Sequence, residues 1–233
     1  MSVQIGGLTS FTTIDYPGKL AAVVFLAGCP LGCAYCSNPH LVVRKDGEYS
    51  PEKVLEFLRG RAGKLAAVVF SGGESLMQGD VALEYMRGVK ELGFLIGLHT
   101  NGFYPEALRR ALGIADWVGL DVKAGDSENY HRLTGSENAR GHAFESLDIL
   151  IASGKSFECR TTADPRFVSK DSLLGIAADL AARGVKNFAV QKYTPHYEAD
   201  FAKTTLADRM QFFTDAEFRG KINAMFENVI WRE

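Results

Sequence analysis

The chain has 233 residues, of which 46% are hydrophobic and 23% are charged, and its formal net charge is −2 at pH 7. This length and composition are typical of a globular protein with a substantial core, and they exclude a disordered or fibrous chain. Because the charge is nearly balanced and has no long like-charge block, we expect neither nucleic acid nor a membrane surface as a partner. No apolar run reaches spanning length, and the start MSVQIGGLTS lacks the features of a secretory signal. We therefore expect a cytoplasmic protein whose four cysteines stay free to bind metal.

Short apolar runs alternate with amphipathic stretches along most of the chain, after an N-terminal segment that could form a small hairpin. The alternation repeats about six times and predicts strand and helix in turn. Because the apolar runs are nearly continuous, they suit strands buried on both faces of a parallel sheet. The predicted strands are LAAVVFLAG, LAAVVFSGG, FLIGLHTNG, WVGLDVKAG, FECRTTADP and FAVQKYTPH.

Six amphipathic helices are predicted between these strands, at residues 51–62, 79–92, 104–113, 142–153, 170–183 and 205–219. Ser50 and Pro51 give the first helix a capping serine followed by a proline at its first position. Asp171 and Ser172 are candidate caps of the fifth helix. The C-terminal AMFENVIWRE is compatible with a strand, an edge segment or a tail packed by Trp231.

Alternating strands and helices with right-handed crossovers give either a barrel or an open doubly wound sheet. Six units are too few for a closed eight-stranded barrel, so we predict an α/β fold of the partial (β/α)6 TIM-like barrel type. The chain has no low-complexity linker, which favours one domain over residues 1–233 with an N-terminal extension of about 20 residues. In either topology, ligands bind at the carboxyl ends of the strands.

Polar residues and glycines follow the predicted strands at these ends. In chain order they are Cys29, Cys33, Cys36, Ser71, Gly72, Gly73, Glu74, Thr100, Asn101, Asp121, Lys123, Arg160, Thr161, Gln191 and Tyr193. If the strands are parallel, these residues converge on one rim that carries thiols, acids, bases and a flexible glycine pair. Such a rim predicts a site for a charged cofactor.

Three of the four cysteines lie in the stretch LAGCPLGCAYCSNPH, with the spacing C-x3-C-x2-C. A structural zinc site would need a fourth ligand from His40, His99 or the distant fourth cysteine. A thioredoxin-like pair at Cys33 and Cys36 would leave Cys29 without a role. A [4Fe–4S] cluster fits better, because thiolate sulfur is the soft ligand that such clusters require, and the fourth iron is then free for an outside chelate.

The cysteine loop, with an aromatic residue before its last cysteine, and SGGES after the second strand together resemble the radical S-adenosylmethionine (SAM) superfamily. The ordered set IDYPGK, VVFSGGESLMQ, HTNG, LDVKA and CRTT is similar to the activating proteins of glycyl radical enzymes. Within these, the chain resembles most the anaerobic ribonucleoside-triphosphate reductase activating proteins, particularly the longer type that carries IDYPGK. The resemblance covers the chain to about residue 195.

The resemblance implies roles for particular residues. Cys29, Cys33 and Cys36 would ligate the cluster, and Tyr35, just before the last ligand, could shield it. The backbone of the GGE motif would meet the amino group of SAM, and the turn after the third strand would make a second contact with SAM. The D-x-K pair would lie beside the methionine end. Arg160 would pair with the SAM carboxylate, a role suited to a forked guanidinium. The implied SAM contacts are Gly72, Gly73, Glu74, Thr100, Asn101, Asp121, Lys123 and Arg160.

Three positions depart from the pattern of the family. Ser37 follows the last cysteine where this subgroup often has histidine, and Ser75 replaces a commoner proline after GGE. Neither change removes a ligand. His99 stands where related activating enzymes usually carry an aspartate that helps to bind SAM and, in some members, a monovalent cation. This substitution weakens the case for a cation site.

The resemblance also implies a reaction. One electron enters the reduced cluster, SAM is cleaved to methionine and a 5′-deoxyadenosyl radical, and the radical takes hydrogen from a glycine of the partner. The implied partner is an anaerobic ribonucleotide reductase and the electron donor is flavodoxin or ferredoxin, with no general acid or base in the protein. The alternatives are an activator of another glycyl radical enzyme, a small-molecule enzyme such as 7-carboxy-7-deazaguanine synthase, and an iron–sulfur or zinc protein without catalysis.

Several of these residues also have a plainer interpretation. Glu74 could be an acid at a helix N-terminus, and Asp121 with Lys123 could be a surface ion pair. Arg160 could extend from a strand into solvent. Cys159 should face the packing layer as a small buried hydrophobe, since its neighbour Arg160 faces the rim. The histidines expected to be structural or exposed are His40, His131, His142 and His196.

Overall fold

The computed structural model describes residues 2–44, 49–195 and 202–233. Within these ranges, eight strands form one sheet, and their order in space is their order in the chain. Strand β1 is antiparallel to β2, whereas β2 to β8 are all parallel. The strands are β1 (Ile5–Thr12), β2 (Ala21–Leu26), β3 (Ala67–Gly72), β4 (Leu95–Thr100), β5 (Trp117–Asp121), β6 (Ser156–Ala163), β7 (Asn187–Lys192) and β8 (Asn228–Arg232).

Helices connect the successive parallel strands. Two short 3₁₀ helices, Pro39–Leu41 and Ser75–Gln78, follow β2 and β3. Each crossover from β2 to β8 contains at least one α-helix, as the predicted strand–helix alternation requires. The α-helices of the described residues are α1 (Pro51–Arg59), α2 (Asp80–Glu91), α3 (Pro105–Ala111), α4 (Ser127–Thr134), α5 (Ala139–Ser153), α6 (Lys170–Ala182), α7 (Leu206–Thr214) and α8 (Ala216–Asn223).

Side-chain caps determine where several helices begin. Ser50 caps α1 by accepting a backbone hydrogen bond from the first turn, and Pro51 is the first helical residue, as predicted. Helix α6 is capped by Ser169, whose hydroxyl accepts from the amide of Ser172 at 3.1 Å. The predicted caps Asp171 and Ser172 are therefore wrong, because both residues already lie in the first helical turn.

The segment predicted as one helix over 205–219 forms two helices. Asp215 has an extended backbone conformation, and its carboxylate accepts from the amide of Phe218 at 3.0 Å. It therefore ends α7 and caps α8, because it satisfies an amide that a new first turn leaves free. Thr205 caps α7 through a capping box with Asp208.

The sequence pattern did not predict α4. This helix has eight residues, SENYHRLT, of which only three are buried, so its apolar period is too short to stand out. Asp126 caps its start by accepting from the amide of Asn129 at 2.8 Å, and Gly135 ends it in a left-handed conformation. The polar caps at both ends thus define a helix that hydrophobicity alone does not reveal.

The sheet separates two apolar layers. Side chains alternate along each strand, so Val68 and Phe70 of β3 pack against the helices, whereas Ala67 and Val69 join a smaller cluster with Trp117 on the opposite face. Strands β1 and β8 stand at the two ends of the strand order and do not pair with each other within the described residues. The barrel is therefore partial, and the predicted fold class is confirmed.

Both ends of the described chain extend the sheet. Strand β1 forms a hairpin with β2, so the predicted N-terminal hairpin uses the first parallel strand as its second arm. The C-terminal segment, for which the sequence left three possibilities, contains β8, which pairs with β7. Within the ranges described, no helix combines the length and apolarity needed to cross a membrane.

Candidate functional site

The carboxyl ends of the parallel strands surround a cleft of about 430 Å³. Its walls bring together all but one of the cofactor and metal residues predicted from the sequence. The exception is Glu74, which is buried behind the wall. Parallel pairing from β2 to β6 is what places these distant residues side by side. The predicted residues that line the cleft are Cys29, Cys33, Tyr35, Cys36, Gly72, Gly73, Thr100, Asn101, Asp121, Lys123 and Arg160.

Backbone hydrogen bonds hold the loop that carries the three cysteines. At its start, the amides of Gly28 and Cys29 donate to carbonyls just beyond the loop, at 2.7 and 3.0 Å. In its middle, the amides of Gly32 and Ala34 donate to carbonyls at the C-terminal end of α4, at 2.9 and 3.0 Å. Helix α4 is therefore a support of the cysteine loop, because its last carbonyls lack partners within the helix.

The three cysteines of the loop are free and half-buried. Burial raises the pKa of Cys29 to about 12 and also raises the pKa of Cys33, so both remain thiols until a metal displaces the proton. The side-chain amide of Asn101 donates to the sulfur of Cys29 at 3.7 Å. Three soft donors with an amide beside one of them fit a [4Fe–4S] cluster, in which each thiolate binds a different iron. Across the described ranges, no group of three or more His, Cys, Asp or Glu side chains is arranged around a single metal ion, so these thiols suit a cluster and not one mononuclear ion.

The glycine pair is required by the close approach of two strand ends. Gly72 has a φ of +126°, and a Cβ on it would lie 2.2 Å from the carbonyl oxygen of Leu26. A Cβ on Gly73 would lie 2.3 Å from the carbonyl oxygen of Gly28. Only glycine allows the GGE segment to pack this closely against the start of the cysteine loop.

Glu74 joins the ends of β3 and β4. Its carboxylate accepts hydrogen bonds from the Thr100 hydroxyl at 2.9 Å, from the amide of Asn101 at 2.7 Å and from the amide of Leu76 at 3.0 Å. Burial raises the pKa of Glu74 to about 7, although these three donors favour the carboxylate form. The side chain also caps the short 3₁₀ helix after β3, as its plainer interpretation anticipated. Glu74 thus positions the turn that carries Asn101 toward the cleft.

Asp121 lies between two cations on the cleft wall. Its carboxylate is 2.8 Å from the guanidinium of Arg160 and 3.3 Å from the ammonium of Lys123. Burial by itself would raise the pKa of Asp121, but the two cations outweigh it and lower the pKa to about 2. Both cationic side chains are only 9% exposed, so this is not a surface ion pair. Two cations share one carboxylate, and the net positive charge suits an anionic group of a ligand.

Tyr35 and His99 contribute rings to the wall of the cleft. The Lys123 ammonium lies 5.5 Å from the centre of the Tyr35 ring, which is a cation–π contact. His99 donates from Nε2 to the carbonyl oxygen of Asp15 at 2.9 Å, and its ring meets the ring of Trp117 edge-on. Burial, together with the nearby guanidinium of Arg160, lowers the pKa of His99 well below its usual range. His99 is therefore a neutral hydrogen-bond donor.

Sequence reasoning missed two segments that contribute residues to the cleft. Ile14 and Asp15 reach it from the loop between β1 and β2, and Arg232 reaches it from β8. The IDYPGK motif was the available signal for the first two residues, but the motif alone does not show where the loop goes. Arg232 had no signal, because its position depends on β8. Its guanidinium lies 2.7 Å from the buried carboxylate of Glu158.

Ser71, Gln191 and Tyr193, which also follow predicted strands, line the cleft as well, whereas Thr161 is buried and donates to the carbonyl of Val122. The fourth cysteine and three of the remaining histidines lie away from the cleft. Cys159 is fully buried in the layer between the sheet and the helices. His40 and His131 are exposed, and His142 packs edge-on against Phe103 with ring centroids 4.8 Å apart. His196 lies outside the described residues.

Residues 23–163, more than half of the chain, match the family model described as the radical SAM superfamily. The chain belongs to the radical SAM superfamily. Enzymes of this superfamily use a [4Fe–4S] cluster and SAM, so the predicted family and cofactors are confirmed. The matched range begins in β2 and ends with β6, and it contains the cysteine loop, the GGE segment, Asp121, Lys123 and Arg160.

Relatives of this radical SAM enzyme are named as activating enzymes. A putative glycyl-radical enzyme activating enzyme of Methanocaldococcus jannaschii is 29% identical over 214 residues, which cover 87% of this chain and 86% of the relative. The pyruvate formate-lyase 1-activating enzyme of Escherichia coli K12 is 32% identical over 154 residues. That match covers 60% of this chain and 61% of the relative, so the chain spans less than two thirds of the E. coli enzyme.

Solved structures of radical SAM enzymes share the fold. A radical SAM methyltransferase from Sphaerobacter thermophilus aligns with a TM-score of 0.69 over 95% of this chain and 68% of the methyltransferase. The two sequences are 14% identical, so the similarity concerns the fold alone. The alignment supports the partial barrel described above.

Proposed function

We propose that this radical SAM enzyme is an activating enzyme that installs a glycyl radical in a partner protein. The observation that carries the proposal is the convergence on one cleft of the three cysteines, the glycine pair before Glu74, and Asp121 with its two cationic partners. The names of the relatives support it. When bound, the cluster and SAM would supply the 5′-deoxyadenosyl radical that takes hydrogen from the glycine of the partner.

The residues of the chain would bind and orient these groups. Cys29, Cys33 and Cys36 would ligate the cluster and leave one iron open to SAM. Lys123 and Arg160 would balance the SAM carboxylate, because among the described residues only the Asp121 carboxylate pairs with the two cations.

The remaining predicted contacts would line or shape the SAM site. The backbone of Gly72 and Gly73 would meet the amino group of SAM, and Tyr35 would limit the access of water from beside Lys123. Thr100 and Asn101 would face SAM from the turn after β4. Glu74 would act through that turn, since its carboxylate bonds to the turn and not to the cleft.

We propose an anaerobic ribonucleotide reductase as the partner, supported by the IDYPGK resemblance, and flavodoxin or ferredoxin as the electron donor. The relatives named as pyruvate formate-lyase activating enzymes favour a second candidate, a glycyl radical enzyme of that kind. We further propose that residues 1–233 work as one domain, because a single sheet runs from β1 to β8. Free thiols support a reducing, cytoplasmic location.

The test is electron paramagnetic resonance on the anaerobically reconstituted, reduced protein, mixed with SAM and the anaerobic ribonucleotide reductase of the same organism. A glycyl-radical doublet that requires SAM is the expected result. If 5′-deoxyadenosine forms without a doublet, the same mixture with a pyruvate formate-lyase decides between the two partners. If neither product forms in a preparation with a full cluster, the proposal fails. Cys33→Ala is the negative control, and Cys159→Ala is its matched positive control.

A further inference from the structure

The centre of the loop between β1 and β2, at Asp15 and Tyr16, packs inside the barrel, whereas its flanking residues are exposed. The ring of Tyr16 is only 7% exposed and lies 5.3 Å from the ring of Trp117 on β5, measured between centroids. The carbonyl oxygen of Asp15 accepts the 2.9 Å hydrogen bond from His99 on β4. Because β4 and β5 are two and three places from β2 in the sheet, the loop crosses the space enclosed by the strands.

The conformation of the loop and the shape of the strand wall both favour the contact of Asp15 and Tyr16 with β4 and β5. The hydroxyl of Thr12 donates to the Asp15 carboxylate at 2.5 Å and accepts from the amide of Ile14 at 3.2 Å, which folds the loop into a compact turn. On the wall, a Cβ on Gly97 would lie 3.0 Å from the ring of Tyr16. A glycine at this point of β4 therefore makes the room that the tyrosine ring fills.

The same loop lies between two cavities. Ile14 and Asp15 line the cleft that contains the three cysteines, whereas Tyr16 and Pro17 line a second cavity of about 400 Å³. The other residues that line this second cavity belong to β5–β8. Because Trp117 is the first residue of β5, the cavity lies at the amino ends of the strands. Consecutive residues thus face opposite ends of the barrel, and the loop is the partition between them.

We propose that the segment Ile14–Pro17 is the floor of the SAM cleft, and that His99 is the positioning residue that holds this floor through the Asp15 carbonyl. The floor shapes the lower wall of the cleft and separates it from the cavity below, which keeps water from entering the site from that side. The role rests on the SAM chemistry of the superfamily and not on the identity of the partner protein. A neutral imidazole suits it, since an Nε2–H group donates without bringing a buried charge.

Hydrogen exchange on the metal-free protein tests the anchor. The reporters are the amides of Ile14 and Lys19, which donate to Thr12 Oγ1 and the Tyr16 carbonyl inside the loop. We expect His99→Leu to speed their exchange by about tenfold or more, because the free energy of local opening of the loop decreases. His99→Gln should restore protection, since its amide can donate to the same carbonyl. His131→Leu, at an exposed histidine, should leave exchange unchanged. Unchanged protection of both amides in His99→Leu would overturn the anchor.

SAM binding to the cluster-loaded protein tests the floor. Tyr16→Ala is the decisive variant, because Tyr16 supports the segment from the lower cavity and does not line the cleft. We expect both Tyr16→Ala and His99→Leu to raise the Kd for SAM several-fold, while His99→Gln stays near the parent protein. If His99→Leu weakens binding and Tyr16→Ala does not, His99 contacts SAM directly and the floor is wrong. SAM binding is measured without a partner protein. Its result therefore stays valid even if the proposed activation reaction is not observed.

Discussion

Cysteines in this chain occupy two environments with different chemistry. Cys29, Cys33 and Cys36 line the cleft, whereas Cys159 is buried among apolar side chains. We expect alanine at any of the first three positions to abolish SAM cleavage, because the cluster loses a thiolate ligand. Cys159→Ala should keep the cluster and cost about 1 kcal/mol of the free energy of unfolding, through lost packing alone. Iron content and 5′-deoxyadenosine formation check both outcomes, and full cleavage by Cys33→Ala would contradict the three-thiolate assignment.

The carboxylate of Asp121 is the shared partner of two cations. We expect Asp121→Asn to lower the free energy of unfolding by about 2–3 kcal/mol at pH 7, because Lys123 and Arg160 stay buried without compensation. The pKa of Asp121 is lowered in the folded protein, so its stabilising effect is complete above an unfolded-state pKa of about 3.9. The effect is lost as the pH falls toward 2, and roughly half of it is gone at pH 3.

Urea unfolding of the parent protein and Asp121→Asn at pH 7 and pH 3 measures this effect. The difference in unfolding free energy should shrink at the lower pH. Asp148→Asn is the matched control, since its carboxylate pairs with Arg183 on the surface and should contribute about 0–1 kcal/mol at either pH. A difference for Asp121→Asn that stays constant with pH would show that the carboxylate is not held ionised by its neighbours.

At the scale of elements, helix α4 is capped by Asp126 at its start and accepts hydrogen bonds from the cysteine loop at its end. Asp126→Ala removes the side chain that accepts from the Asn129 amide, which should cost about 1 kcal/mol. Because the last carbonyls of α4 accept from Gly32 and Ala34, we also expect faster hydrogen exchange at these two amides.

A second helix cap serves as the control for this prediction. Thr205→Ala removes the cap of α7, which carries no hydrogen bond to the cysteine loop in the described residues. It should cost a similar free energy, without faster exchange at Gly32 or Ala34. Equal effects of the two variants on these amides would mean that α4 does not specifically support the loop.

At the scale of the whole molecule, the last strand is tied to the interior of the barrel. Arg232 on β8 pairs with Glu158 on β6, across the intervening β7, and the Glu158 side chain is only 2% exposed. We expect Arg232→Ala to cost about 3 kcal/mol or more, because it leaves a buried carboxylate unpaired. Adding Glu158→Gln should restore part of the lost unfolding free energy, because it removes the unpaired buried charge.

Equilibrium unfolding of the two single variants and the double variant measures the coupling. The exposed pair of Lys186 and Glu227 is the control, with side chains 68% and 62% exposed, and Lys186→Ala should leave the free energy of unfolding nearly unchanged. Additive effects of Arg232→Ala and Glu158→Gln would contradict a direct pair between β6 and β8.

The parts of the candidate site that the sequence predicted are those that depend on residues close together in the chain. The spacing of the cysteines indicates a cluster ligand set, and residues that directly follow parallel strands are expected at one edge of the sheet. Both features are visible in short stretches of the sequence. The direction of the Glu74 side chain could not be read in this way. Its carboxylate turns toward Thr100 and Asn101 because two strand ends meet there.

The sequence by itself determined the alternating architecture, the partial barrel and the cysteine loop, because hydrophobic period, end caps and ligand spacing are properties of short segments. Only the tertiary structure decided that α4 supports the loop, that Asp15 meets His99 and that Arg232 reaches the cleft. These contacts join segments far apart in the chain. They depend on how the sheet curls and on which strands stand at its edges, and no local pattern carries that information.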